Sequence, residues 1–312
     1  MKTLLGKEFK ESSPIEVIDY LKSQDVKVYT ASPSDMEFKS NLGQLFLQVY
    51  DEGLSFEYPM RESCLKKTLK WFSFPTEKYD FLQDGTLLAI CNDTLKAINA
   101  RNLNFKVINS EVVTINSPYY TTFTNLDVIK SVLSLGISKI SLNDYIMRIY
   151  TEEKYKAEPV VGDTCGFGIN IINSETGFSA LSVEHFILRY TCVNGATAHI
   201  QGVNERKNHY NLPAGELKNF LFERIDKVES SRKNVIFALK KSSDEPAEKY
   251  GDNFFYKVDA ITGKQQSKDF FKGFDWKKSK YDLFNLITDK AKAYDVTKRY
   301  RLERLAGELI MN

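Results

Sequence analysis

Histidine and tryptophan are scarce in this chain, three and two residues among 312, and the four cysteines never form a CxxC pair. Zinc sites usually set paired ligands two to five residues apart. His185, His199, His209, Cys165 and Cys192 stand six or more residues from one another, so each is read as structural and no metal is expected. Cys64, Cys91, Cys165 and Cys192 read as reduced, buried thiols of a cytosol. No Gly-x-Ser-x-Gly element is present to present a nucleophile. The glycines at Gly162, Gly166 and Gly168 are spaced GxxxGxG, without the strand–GxGxxG–helix order of a dinucleotide site. In AITGK, Val258 stands where a P-loop needs its first glycine and Gln265 replaces Ser or Thr. Bulges or close strand contacts are the expected use of such glycines. No cofactor is expected and enzymatic activity is not. A site grouping Arg189, Cys192 and His185 in a pocket is the one catalytic arrangement left open.

Long apolar runs are missing too. No window approaches eighteen apolar residues, which excludes a spanning helix by hydropathy, and no membrane partner is expected. The start, MKTLLGKEFKESS, lacks the apolar run of a signal peptide, so a cytoplasmic location is expected.

What is present is ordinary in amount: 42% hydrophobic and 27% charged residues, with a net charge of only +2. A chain of this length buries roughly 75% of its unfolded surface as one large or two ordinary domains. With so weak an overall field, any polyanion must be met by a local patch. Tyrosine and phenylalanine are abundant, 17 and 21, suited to a core and mildly suggestive of base stacking.

Periodicity gives an α+β fold, with a mixed, mainly antiparallel sheet in the first two thirds and helices after it. Ser13-Pro14 opens a helix to about Ser23, and residues 45–59 read as a hairpin around Asp-Glu-Gly. Helical spacing returns at 62–71, followed by strands at 86–91 and 104–115, a helix at 125–135 and a strand at 144–150. Residues 164–173 and FSALSV form a hairpin. SVEHFILRYTCVNG fits a helix capped by Ser182 and stopped by Gly195, or a strand turning at Asn194-Gly195; helix is the reading preferred. A long helix spans 214–241 with Leu217, Phe220, Leu221, Ile225, Val228, Val235 and Leu239 inward. A polar loop at 242–253 and helices near 279–294 and 297–310 complete the chain. The expected division is an N-terminal α+β region, 1–140, and a second region, 141–312.

Four elements then occur in order: Asn173-Ser174-x-x-Gly177, Arg189-x-x-Cys192-x-Asn194-Gly195, Phe284-Asn285-x-x-Thr288 and Leu305-Ala306-Gly307. Together they resemble the phage- and plasmid-associated family of unknown function numbered 932, over roughly residues 145–310. The resemblance implies a protein of a mobile element, in the cytoplasm of an infected or plasmid-bearing bacterial host. It brings no catalytic residues.

The charge pattern supplies the candidate ligand. Residues 264–304 hold twelve lysines and arginines against six acids, an excess of six in a chain of only +2. Phe270, Phe271, Phe274, Trp276 and Tyr281 lie among them. Cations can track phosphates while rings stack on single-stranded bases; the plainer alternative is a solvated helix face with its rings turned inward. Candidate nucleic-acid contacts are Arg189, Arg206, Lys207, Lys272, Trp276, Lys277, Lys278, Lys280, Lys298, Arg299 and Arg301. Arg189 lies in the apolar FILRYTC and must meet a phosphate or an acid such as Asp163 or Glu175. The expectation is non-sequence-specific binding or annealing of single-stranded DNA, with double-stranded DNA also open, and assembly into a homo-oligomer. The other reading is a non-catalytic protein that binds a host or viral protein, as an anti-defence factor does.

Overall fold

Two periodicities, of 2 in the strands and 3.6 in the helices, place most of the apolar residues of this chain. The computed structural model describes residues 3–71, 73–75, 79–121, 123–190, 196–200, 206–207 and 214–312. The first half runs β1 (Phe9–Ser12), α1 (Pro14–Lys22), β2 (Val26–Ala31), β3 (Met36–Asn41), β4 (Gln44–Asp51), β5 (Leu54–Pro59), α2 (Glu62–Trp71) and α3 (Asp84–Ala97). It continues through β6 (Leu103–Ile108), β7 (Glu111–Asn116), α4 (Asn125–Val132), β8 (Ile137–Leu142), β9 (Met147–Thr151) and β10 (Tyr155–Val160). Then follow β11 (Asp163–Asn173), β12 (Leu181–Arg189), β13 (Ala196–Ile200), β14 (Arg206–Lys207) and α5 (Leu217–Lys241). The chain closes with α6 (Gly251–Thr262), α7 (Lys264–Phe270), α8 (Lys280–Ala291) and α9 (Val296–Met311). Antiparallel sheets precede a helical C-terminal region, an α+β fold.

The N-terminal unit packs the sheets β3-β4-β5 and β2-β6-β7 with α2 and α3 around one core. Register explains its inner face: Met36 lies beside Val49, and Phe38 and Leu47 beside Tyr58. Glu52 and Gly53, both at positive φ, make the tight two-residue turn that the β4–β5 hairpin needs. The strand expected at 86–91 is instead part of α3. Leu87, Cys91 and Leu95 are buried four residues apart, a helical spacing hidden when only the short run LLAIC is read.

The second sheet has the order β1-β8-β9-β11-β12-β13, with β10 added to β11 and β14 to β12. It takes strands from both sides of the expected division at 140, because β1 pairs with β8. One face carries Ile140, Leu142, Met147, Ile149, Ile169, Ile171 and Val183 into a core with α1, α4 and the first half of α5. The helix preferred for 182–194 is replaced by strand β12, and Asn194-Gly195 lies outside the described residues. Inside the sheet, β12 is buried on both faces, so the alternation that marks a half-exposed strand is absent. Gly168 serves close approach: a Cβ there would lie 2.4 Å from the Phe186 ring.

In α5 the seven residues expected inward are the buried ones. The polar segment expected as a loop at 242–253 already contains the first turn of α6. Gly263, at φ +95, separates α6 from α7 at the AITGK segment, a turn role that glycine alone adopts easily. A capping box between Ser279 and Asp282 starts α8.

The family-like elements have packing roles. Asn173 Nδ2 donates to Asn125 Oδ1 at 2.9 Å, Lys67 Nζ donates to the Gly177 carbonyl at 3.0 Å, and Glu175 pairs with the buried Lys106. This turn fastens the N-terminal unit to the central sheet. Thr288 Oγ1 donates back to the Phe284 carbonyl, and Leu305 and Ala306 are buried in the helical core.

Candidate functional site

The rings and several of the cations expected on a nucleic-acid surface are engaged within the fold. Phe270, Phe271 and Tyr281 are buried, and Phe274 and Trp276 pack against the same helical core. The Trp276 ring lies 5.3 Å from that of Phe271 and 5.2 Å from that of Phe274. Trp276 is therefore part of an inward aromatic cluster and no open platform for a base. Lys280 is also removed from the surface: it is 3% exposed and its Nζ lies 3.2 Å from Glu245. The Tyr250 hydroxyl first, then Lys280, hold the Glu245 carboxyl down at about 2.

Arg189 resolves to an acid. Its Nε lies 3.0 Å from Asp163 Oδ2 and its Nη2 bonds the same carboxylate. Tyr281 donates its hydroxyl to that oxygen at 2.8 Å. His185 does not join it in a pocket: His185 Nε2 is 3.2 Å from Ser231 Oγ on α5, and burial lowers its pKa to about 4. Cys192 lies outside the described residues, as do His209 and the side chains of His199, Arg206 and Lys207. Cys64, Cys91 and Cys165 are free and buried; burial raises the Cys91 and Cys165 thiols to about 12 and about 11.

Lys272, Lys277 and Lys278 are exposed along the segment between α7 and α8, and Arg301 is exposed on α9. Lys298 is half-buried at the start of α9, where its backbone N–H donates to Asp295. Arg299 donates to Glu303 and Glu11, both at 2.8 Å. Burial opposes its charge, but these carboxylates outweigh burial and raise its pKa.

Arg299 leads to the site that sequence analysis passes over. It borders a cavity of about 150 Å³ whose charged lining is Lys10, Arg148, Lys292 and Arg299 with Glu11 and Glu303. That is four cations against two carboxylates. Arg148 belongs to β9, between Ser141 of β8 and Ile172 of β11. Alternation turns it away from the apolar face that carries Met147 and Ile149. Only 4% of it is exposed, yet among the described residues its side chain makes no hydrogen bond or ion pair, and its buried Nε–H has no acceptor. Its guanidinium lies 3.9 Å above the Tyr300 ring. The Tyr300 hydroxyl is directed elsewhere, to Glu184 at 2.8 Å, which also accepts from Asn170.

Removing a cation from water without a counter-charge is expensive, so Arg148 is held in a state that an anion in the cavity would relieve. Its unused N–H groups suit the bidentate recognition of an oxyanion. A second depression borders α9, lined by Lys257, Arg301 and Arg304 with Glu308 as its one acid. The signal for Arg148 was available: an arginine inside IMRIY is the same anomaly as Arg189 inside FILRYTC.

Among the described residues, no group of three or more His, Cys, Asp or Glu is placed to hold a metal ion, and no helix is long and apolar enough to cross a membrane. Comparison with protein families, curated proteins and solved structures gives no match for this chain.

Proposed function

We propose that this chain is a nucleic-acid-binding protein of a mobile element that holds its ligand by phosphate rather than by stacked bases. The single observation that carries the reading is Arg148, a buried guanidinium that no carboxylate among the described residues pairs, at the edge of a cavity lined by four cations and two carboxylates. Arg301 and Arg304 in the separate depression on the other face of α9, and the exposed Lys272, Lys277 and Lys278, supply further phosphate contacts. The mobile-element assignment rests on the ordered family-like elements. Binding of this kind is non-sequence-specific and weakens steeply with salt. Titration of a labelled single-stranded oligonucleotide tests it, with retention expected at about 50 mM salt and a steep loss by about 200 mM. Replacing Arg301 by glutamine should lower the slope of log K against log salt by about 1. No retention at the lower salt ends the reading.

A second reading, a non-catalytic protein that binds a host or viral protein, draws on a different place. A cleft of about 360 Å³ in the N-terminal unit is lined by Tyr29, Tyr50, Phe56, Tyr58 and Phe105, with Asp35 and Asp51 as its charged residues. Such an aromatic, acid-lined surface suits a protein partner and repels a polyanion. Co-purification of a stoichiometric partner, lost in Phe56→Ser, tests it.

A further inference from the structure

We infer that the Arg148 cavity reads a terminal phosphate, a phosphomonoester at the end of a nucleic-acid strand, in preference to the diesters along its backbone. This deepens the proposed function and rests on it for the identity of the strand. The site itself stands on size and charge.

Size comes first. The cavity's 150 Å³ corresponds to about five waters at liquid density. That admits a phosphate group with part of its hydration and falls below the range of small-molecule pockets, about 300 to 1,000 Å³. A nucleoside does not fit. Arg148 is 96% enclosed, so an anion must enter the cavity to reach it. An internal diester carries a sugar on both sides and cannot enter without bringing one along. A terminal phosphate has a single ester bond and presents three free oxygens.

Charge agrees with size. Glu11 and Glu303 are already engaged by Arg299, which donates to both. Lys292 pairs with Asp289 at 3.2 Å and Lys10 with Glu8 at 3.6 Å outside the lining, so the lining cation that no described carboxylate pairs is Arg148. A phosphomonoester carries a charge near −2 above its second pKa of about 6, whereas a diester carries one negative charge. Of the cations, Arg148 has the unused donors: Nε is sealed off, and the two terminal nitrogens, which bond no described residue, are left to donate to phosphate oxygens.

The test uses the full chain and oligonucleotides of one sequence bearing a 5′-phosphate, a 3′-phosphate or hydroxyls at both ends, with circular single-stranded DNA as a ligand without ends. Affinity is read by fluorescence anisotropy and by competition. At least one phosphate-ended oligonucleotide should bind about tenfold more tightly than the hydroxyl-ended one. That ratio should shrink below pH 6, fall to about one in Arg148→Met and take an intermediate value in Arg148→Lys. Inorganic phosphate should compete for the end effect and raise the melting temperature of the wild type but not of Arg148→Met. Melting in phosphate-free buffer confirms that each variant is folded. Equal affinity for all four DNAs overturns end reading while leaving nucleic-acid binding intact. A thermal shift with inorganic phosphate but no oligonucleotide binding, or tighter binding of a phosphoserine peptide, overturns the nucleic-acid source. A ratio unchanged in Arg148→Met overturns the assignment to this cavity.

Discussion

Two arginines lie beside opposite ends of β11, each against a tyrosine ring and each near a carboxylate that accepts the tyrosine hydroxyl. On β12, Arg189 is 5.7 Å from the Tyr281 ring, and Tyr281 donates to Asp163 at 2.8 Å. On β9, Arg148 is 3.9 Å from the Tyr300 ring, and Tyr300 donates to Glu184 at 2.8 Å. The two ends differ in whether the carboxylate also accepts from the arginine. Asp163 accepts from Arg189 as well as from Tyr281, whereas Glu184 takes Asn170 and Tyr300 and makes no ion pair with Arg148. A buried cation with its carboxylate is a closed unit of structure; the same cation without one has unused charge and donors to offer a ligand.

The largest expected effect removes the connection at the closed end. Asp163→Asn keeps the shape but removes the negative charge that Arg189 and Tyr281 share, at a cost of about 3 kcal/mol measured by urea unfolding. Glu184→Gln at the other end should cost less than half of that, because the amide oxygen still accepts from Tyr300 and Asn170. Equal losses would show that Glu184 neutralises Arg148 through space, and the contrast between the two ends would vanish.

Between these carboxylate and guanidinium positions on β12 stands His185, which separates their contributions by pH. Burial holds its pKa at about 4, so it is neutral in the fold, while the unfolded chain protonates it near 6.5. From pH 6.5 down to 4 the unfolded state binds more protons, and stability falls as pH falls, by about 3 kcal/mol in all. The contribution is fully present above pH 6.5. Chemical denaturation across that window should show this slope and lose most of it in His185→Gln. A slope that persists belongs to the carboxylates instead. Tyr281→Phe is a smaller perturbation at the closed end, removing one hydrogen bond to a charged group for about 2 kcal/mol in the same assay.

How much of this was legible in the residues depends on what each signal averages over. The α5 apolar set was readable because 25 residues repeat one period over seven turns. The alternation of β4 and β5 was readable because one face is wet along part of its length. β12 was misread because burial on both faces erases alternation, and α3 because a five-residue apolar run cannot distinguish a strand from a helix. At the candidate site, an excess of positive charge in 264–304 was plain, but charge in sequence does not say which way a ring turns. Trp276 and Lys280 face inward because the α6–α9 core needs their apolar surface and Glu245 needs a cation. Arg189 and Arg148 carry identical local signals in FILRYTC and IMRIY. Only tertiary pairing, across 26 residues to Asp163 in one case and to no acid among the described residues in the other, tells them apart.

The smallest expected effect is therefore the most discriminating. Arg148→Met replaces a buried cation that no described residue pairs with an apolar chain of similar length, still able to lie on the Tyr300 ring. In phosphate-free buffer it should shift stability by no more than about 1 kcal/mol, toward greater stability, since the desolvation cost disappears and no hydrogen bond is lost. The paired arginine behaves otherwise: Arg189→Met takes the bonded cation from the Asp163 carboxylate and should destabilise by a few times that amount. A loss of about 3 kcal/mol in Arg148→Met would mean that the fold itself uses this cation. The two arginines would then be alike, and the cavity would lose its claim to an anion.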